Sequence, residues 1–412
     1  MIASVSECPE RVSPEREPTL ATPSFLVEYG YYFYIFYTML GGAFGLFINN
    51  VGSGLLAILF VVCLQELKFQ AFTVLGLVAF PLGCAIAHSL IQLFLHDELL
   101  MGDSVRPFVL WMFTLVIVQS LSLRRNFLHR FSVVVFLVGL CALPFLSVTV
   151  QTNAYQRVGL DRAVGFAHPN EMAEWFGFCS VYFIVLGIIT RRNSVRTLSW
   201  LIAVGCLFVV TLAVTRGTLT AVAVAVLVAS RHLLKKGFFP ILILGCLIWL
   251  IVQLPIFDQA MQAYGERGLE ETGRFAVWPN IFKRFLDSPL IGVGGSNVGG
   301  FTDAGNFITP HNAFLYLAQA SGIVPLALFI AYWFRAARAT VQKNAKSSPD
   351  AAFRVPFLLF IFQAVGGADF SFMMPWGVVA LAIALNGADG SPASGVTSTQ
   401  RRTRETLLHP LA

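Results

Sequence analysis

Residues 172–190 read MAEWFGFCSVYFIVLGIIT, an apolar run in which Glu174 is the single charged residue. A helix of roughly 17–25 such residues crosses the hydrocarbon core of a bilayer, which is about 30 Å thick. Similar runs recur along the chain, whose composition is 56% hydrophobic and 12% charged, with a mean hydropathy of +0.72. These values lie far outside the range of a soluble domain. The sequence therefore predicts a polytopic membrane protein.

The apolar runs predict an all-α fold of about twelve transmembrane helices, because a segment that crosses lipid must satisfy its backbone polar groups internally. A membrane domain at 26–388 is predicted between polar, disordered tails at 1–25 and 389–412. Its one large extracytoplasmic loop, about 257–311, is expected to contain short helices. The predicted spans are 31–48, 51–65, 71–95, 107–123, 131–150, 172–190, 198–214, 217–232, 238–256, 312–334, 353–368 and 372–387.

The loop charges predict the orientation of these helices, because Lys and Arg in short loops are retained on the cytoplasmic side. Four connections are strongly basic, at 124–130, 191–196, 231–236 and 335–354. We therefore expect both termini in the cytoplasm. The segments predicted outside are 96–106, 151–171, 215–217, 257–311 and 368–372.

Several arginines lie on the predicted outer side, against the positive-inside bias. Arg216 interrupts an apolar run, and a charge at mid-membrane costs on the order of 2.5–3.5 kcal/mol, so such a residue usually faces a polar cavity. Together with Arg157 and Arg274 it would suit a diphosphate, since the planar guanidinium can bind two oxygens at once. Alternatively, each arginine reaches the lipid headgroups or pairs with a local acid, as Arg162 could with Asp161.

Two histidines lie at predicted helix starts on the same side. His311, followed by Asn312, is expected near the outer interface, where a neutral imidazole can take a proton from a hydroxyl nucleophile. The alternative is that it only hydrogen-bonds a backbone group. His168 precedes Pro169 and Asn170, which are typical of a helix start. It either shapes that helix entry or lines the same cavity as Arg157.

The long loop contains two further patterns. Residues 273–286 form an amphipathic stretch that includes Trp278, and they predict a helix that either lies along the membrane interface or packs against the protein. The glycines of 292–295 favour a tight turn over a phosphate-binding loop, since neither a strand pattern nor a lysine accompanies them. The outer loops show no metal-ligand spacing, so a metal ion is not expected.

The order of these motifs resembles the O-antigen ligase and polysaccharide polymerase superfamily of bacterial envelope biosynthesis. The resemblance spans residues 157–323, and the helical layout extends it over most of the chain. One departure is Thr215, where relatives commonly carry serine. The matching elements are Arg157 with Gly159, His168-Pro169-Asn170, Thr215-Arg216-Gly217, Gly273-Arg274 with Trp278, Pro289 to Gly294, His311-Asn312 and Gly322-Ile323.

The resemblance implies a metal-independent, inverting glycosyltransferase of the bacterial inner membrane that needs no cofactor and takes its donor glycan from undecaprenyl diphosphate. Arg216 and Arg274 would bind and neutralise the leaving diphosphate on the periplasmic side, with help from Arg157. His311 would deprotonate the acceptor hydroxyl. The further candidates for substrate contact are Arg162, His168, Asn170, Asn312 and Trp278.

Three activities remain open at this point. A polymerase, slightly preferred because the loop is small, passes the glycan to another lipid-linked repeat, whereas a ligase passes it to the lipid A core. A transporter or flippase of lipid-linked sugars would also use arginines, but it predicts charges through the depth of a cavity and an internal repeat. The expected partners are donor, acceptor and membrane lipids, with a chain-length regulator as a further candidate and no nucleic acid.

Overall fold

The structure is a computed structural model. It describes residues 25–46, 51–66, 82–83, 85–87, 89–91, 94, 106–121, 127–150, 156–230, 274–294, 298–301, 305, 307–341 and 355–361. The predicted spans 238–256 and 372–387 and most of 71–95 lie outside the described residues. So do residues 1–24 and 389–412 of the predicted tails and residues 257–273 of the predicted loop.

The described chain is mostly helical, with two short antiparallel hairpins. The helices are α1 (Phe25–Leu40), α2 (Val51–Glu66), α3 (Arg106–Leu121), α4 (Phe127–Ala142), α5 (Pro169–Ile189), α6 (Asn193–Leu212), α7 (Arg216–Ser230), α8 (Arg274–Asp287), α9 (Ala313–Ser321) and α10 (Ile323–Val341). The strands are β1 (Leu146–Val150), β2 (Gln156–Leu160), β3 (Gly300–Phe301) and β4 (Phe307–Ile308). Single turns of 3₁₀ helix cover Leu143–Phe145 and Val355–Phe357.

Three helical segments in the described residues are long and apolar enough to cross a membrane, and they cover Phe127–Phe145, Pro169–Ile189 and Asn193–Leu212. The prediction of a mainly helical membrane protein is confirmed. The count of about twelve spans stays a prediction.

Three predicted spans differ from the structure. The span at 31–48 lies too far along the chain, because its helix covers Phe25–Leu40 and turns follow at 41–45. The span at 131–150 is wrong over its last five residues, because the β-branched run Val148 to Val150 pairs with β2, with Thr149 opposite Arg157. The span at 312–334 is divided at Gly322, whose φ of 85° cannot continue a helix.

Helix α5 lies at the centre of the described core, with 16 of its 21 residues buried. A helix that is apolar all round is stable only when neighbours cover every face, and α4, α6 and α7 all pack against α5. The indole of Trp175 donates a hydrogen bond to the carbonyl of Val135 in α4 at 2.9 Å. A Cβ on Gly139 would lie 3.0 Å from that indole nitrogen, so glycine permits the close packing.

Polar contacts mark the two ends of this helical bundle. At one end, Arg130 in the first turn of α4 forms a bidentate ion pair with buried Glu28 in the first turn of α1, at 2.6 and 3.1 Å. At the other end, the turn after β2 packs on the end of α1, where the amide of Gly165 donates to the carbonyl of Met39 at 2.8 Å. The β1–β2 hairpin and the starts of α5 and α7 lie at this second end, which contains the first group of candidate site residues.

Candidate active site

The turn between α6 and α7 has an unusual backbone. Helix α6 is capped by Ala213, and Val214 follows with φ at 51°, in the left-handed region. That region is disfavoured for a β-branched residue, and strained residues of this kind cluster at functional sites. Thr215 and Arg216 come next, and Arg216 is the first residue of α7.

The Thr215 side chain is only 5% exposed, and its buried hydroxyl has no hydrogen-bond partner in the described part of the chain. A buried hydroxyl without a partner is unfavourable by about 1–3 kcal/mol. It lies at the N-terminus of α7, where backbone N–H groups lack intrahelical acceptors and the helix dipole favours negative charge. This end of α7 has the chemistry of an anion-binding site.

Arg157 is held by protein groups inside the fold. It is 4% exposed, its Nε donates to the carbonyl of Ala213 at 2.9 Å, and its Nη2 donates to the Asn170 side chain at 2.7 Å. The contact joins β2 to the start of α5 and to the α6–α7 turn. Arg162, five residues later, is exposed in the turn after β2.

His168 caps helix α5. Its Nδ1 accepts a hydrogen bond from the amide of Asn170 at 3.2 Å, and Pro169 occupies the first helical position. The predicted helix start is therefore confirmed. His168 is exposed, and its contact with substrate stays a prediction.

The corner before α9 contains His311 and Asn312. His311 also has a left-handed backbone, with φ at 46°, and its Nε2 lies 3.5 Å from the Thr309 hydroxyl. Asn312 is buried and accepts hydrogen bonds from the amides of Phe314 and Leu315 at 2.9 and 3.1 Å. Asn312 is thus a helix cap that fixes the backbone directly after His311.

The amphipathic helix predicted at 273–286 is present as α8. Arg274 is its first residue, and one turn later the Trp278 indole donates to the carbonyl of Pro310 at 3.1 Å. The tryptophan thereby joins α8 to the corner that carries His311. Helix α8 also packs against α9, whereas its predicted position in the membrane interface stays a prediction.

In the described part of the glycine-rich segment, residues 292–294 pack against the end of α9, while residue 295 lies outside the described residues and the predicted tight turn stays a prediction. The amides of Gly292, Val293 and Gly294 donate to the carbonyls of residues 288, 319 and 320 at 2.9, 2.7 and 3.1 Å. These amides are occupied and form no phosphate cradle. A Cβ on Gly322 would clash with the carbonyl oxygen of Leu290, so glycine is required where this segment meets the α9–α10 break.

A known protein family matches part of this chain. Residues 172–330 match the family model described as O-antigen ligase. This segment is similar to the O-antigen ligase family. The resemblance found in the sequence is confirmed over these residues, and the match indicates a membrane glycosyltransferase of the O-antigen ligase and polymerase type. No curated protein matched the chain.

The O-antigen ligase segment contains Arg216, Arg274 and His311 and ends within α10, whereas Arg157 and Asn170 precede it. Glycosyltransferases of this type use a lipid-linked glycan donor and a glycan acceptor. Among the described residues no group of three or more His, Cys, Asp or Glu side chains could hold a metal ion. Independence from metal stays a prediction.

The described contacts arrange the candidate residues in two groups. Arg157 and Asn170 lie with the turn before Arg216, and Trp278 lies with the corner that carries His311 and Asn312. Both groups rest on one hydrophobic core, which includes residues 172, 213, 313 and 317. The meeting of Arg216, Arg274 and His311 in one cleft stays a prediction.

Sequence reasoning missed three features of the site. The left-handed backbone of Val214, the unpartnered hydroxyl of Thr215 and the contact of Arg157 with the Ala213 carbonyl have no signature in local sequence. In the sequence, Arg216 and the departure from serine at Thr215 pointed to this turn. The contact of Arg157 with Ala213 joins residues that are 56 positions apart in the chain.

Proposed function

We propose that the protein transfers a glycan from undecaprenyl diphosphate to an acceptor hydroxyl at the periplasmic face of the bacterial inner membrane. The transfer is a single displacement. The acceptor oxygen attacks the anomeric carbon, the bond from that carbon to the diphosphate oxygen breaks, and the acceptor proton passes to the imidazole of His311. Attack on the face opposite the leaving group inverts the anomeric centre, and no cofactor or metal takes part.

The start of α7 is the observation that supports this function most directly. It combines a helix N-terminus, the guanidinium-bearing Arg216 and a buried Thr215 hydroxyl that lacks a partner. Departure of the diphosphate builds up negative charge, and fixed donors at that position stabilise the transition state more than the ground state. We assign Arg216 and Arg274 to the diphosphate and His311 to the acceptor. Arg162, His168, Asn170, Asn312 and Trp278 are secondary candidates for substrate contact.

The valine variant of Thr215 tests this assignment, because it keeps the shape of the side chain and removes the hydroxyl. We expect Thr215→Val to leave the melting temperature in detergent unchanged or higher, since it removes an unsatisfied buried group. We also expect affinity for undecaprenyl diphosphate to fall about tenfold, as for loss of a hydrogen bond to a charged group. Isothermal titration and thermal unfolding measure the two quantities.

Thr211→Val is the matched control for that experiment. The Thr211 hydroxyl lies one turn earlier, in α6, and donates to the carbonyl of Leu207 at 3.0 Å. We expect this control to leave the affinity for undecaprenyl diphosphate unchanged. Unchanged affinity in Thr215→Val as well would remove the α7 start from the donor site.

Within this function we infer a polymerase of exopolysaccharide or O-antigen, with an O-antigen ligase as the alternative. The inference rests on the modest length of the predicted loop at 257–311, which offers little surface for a bulky lipid A core. In a deletion strain we expect long polymer to disappear while single repeats remain attached to their acceptor. Gel profiles of the surface glycan measure this, and accumulation of lipid-linked polymer without attachment would identify a ligase.

A further inference from the structure

Arg157 joins its own strand to two helix ends that are distant in sequence. It extends from β2, and its guanidinium donates to Ala213 at the end of α6 and to Asn170 in the first turn of α5. With 4% exposure it is among the few buried charged residues of the described chain. A buried charge is tolerated when hydrogen bonds satisfy it, and both acceptors here are protein groups.

The Ala213 carbonyl is the last one before the strained turn. Carbonyls at a helix C-terminus lack intrahelical donors and carry partial negative charge, so a guanidinium there supplies a hydrogen bond and a favourable charge interaction. Val214, the next residue, keeps its left-handed backbone only if its surroundings hold it there. Arg157 provides such a restraint directly beside it.

The second contact of Arg157 connects this restraint to the start of α5. Asn170 lies in the first turn of α5, and its amide is bonded to the His168 cap, so the start of that buried helix is well fixed. The two hydrogen bonds of Arg157, at 2.9 and 2.7 Å, therefore tie the α6–α7 turn to the most buried helix. A lysine has a single point charge in place of the planar fork and cannot reproduce both bonds.

We propose that Arg157 is a positioning residue for the α7 start, which it holds through Ala213 and Asn170, and that it does not itself bind the diphosphate. The proposal rests on the proposed function in one respect, namely that the α7 start binds the donor diphosphate. It replaces the sequence-based expectation that Arg157 assists at the diphosphate. Thr215 and Arg216 are then presented to the ligand by a turn whose geometry Arg157 maintains.

The test compares Arg157→Lys with the unchanged protein by two measurements on the full chain in detergent. Hydrogen exchange follows the amides of residues 213–219, and titration follows the binding of undecaprenyl diphosphate. We expect exchange in this segment to become about tenfold faster, because the turn opens locally, and affinity to fall about tenfold. Lower affinity with unchanged exchange would overturn the proposal and identify Arg157 as a direct ligand.

Substitution of Val214 by glycine distinguishes positioning from direct binding further. Glycine adopts a left-handed backbone without strain, so the turn needs less restraint in a Val214→Gly protein. We expect Arg157→Lys to lower the affinity less than about threefold in this background. A full tenfold loss in both backgrounds would contradict the positioning role.

Arg196→Lys is the matched control for these measurements. Arg196 also donates to an asparagine side chain, that of Asn193 at 2.7 Å, but both are exposed. We expect neither exchange at 213–219 nor affinity to change in this variant. Changes equal to those of Arg157→Lys would mean that loss of any Arg–Asn pair has this effect, which would overturn the proposal.

A substitute variant and a second readout make the test decisive even if Arg157→Lys does not accumulate or the ligand does not bind. If Arg157→Lys does not accumulate in membranes, Asn170→Ala removes one of the two acceptors and is expected to accelerate exchange at 213–219 in the same way. If the unchanged protein does not bind undecaprenyl diphosphate, the proposed function fails. The exchange data then still show whether Arg157 holds the turn.

Discussion

Substitution of His311 is expected to abolish glycan transfer without loss of the folded protein. A positioned general base contributes about 10²–10⁴-fold to rate, and without the imidazole the acceptor proton has no positioned base to receive it. We therefore expect His311→Ala to lower kcat by at least about 10²-fold, with the lipid-linked donor still present at the outer face. Transfer in isolated membranes, with lipid-linked glycan extracted from the same bacterium, measures the rate.

The left-handed backbone at His311 provides the control for this experiment. Asparagine tolerates a φ of 46° better than most residues but cannot act as the base, and glycine adopts it without strain. We expect His311→Asn and His311→Gly to be as inactive as His311→Ala, while His311→Gly melts at the same or a higher temperature. Retained transfer in a stable variant would rule out His311 as the base and would reopen the transporter interpretation.

Arg216→Lys is expected to have the second large effect. Lysine keeps the charge but loses the planar pair of donors that can hold two diphosphate oxygens. Removing one fixed donor from a site of developing negative charge costs about 10²–10³-fold in kcat. We expect that loss in the same membrane assay, together with weaker binding of undecaprenyl diphosphate.

Two outcomes separate a role at the diphosphate from a role in folding. Arg196→Lys, which changes an exposed arginine at the start of α6, is expected to transfer glycan at the unchanged rate. An Arg216→Lys protein with a normal melting temperature and normal transfer would contradict the assignment. Equal losses in both variants would point to a general effect of replacing arginine by lysine and would also contradict the assignment.

Much of the fold follows from local sequence. Apolar runs such as 172–190 predict membrane helices, because burial of apolar side chains in lipid depends on the composition of each segment and little on its neighbours. The helix starts at Pro169 and at Ala313 follow equally from short signals, since His168 and Asn312 cap the amides that come directly after them. The order of motifs also pointed to the family that residues 172–330 match.

Local sequence predicted the hairpin and the helix break less well. Residues 146–150 are apolar enough to extend the preceding helix, and only their pairing with 156–160 makes them a strand. The break at Gly322 is set by its close contact with Leu290 as well as by its own flexibility. In both cases contacts with another segment of the chain override the local preference for a continuous helix.

The candidate site, like the fold, was predictable from the sequence only in part. Residue types and spacing identified Arg216, Arg274 and His311 as candidates, because guanidinium groups suit a diphosphate and a neutral imidazole can take a proton from a hydroxyl. Tertiary contacts alone determined that Arg157 holds the Ala213 carbonyl and that Val214 and His311 adopt left-handed backbones. A strained dihedral angle is maintained by groups from distant parts of the chain, so no nearby pattern of residues encodes it.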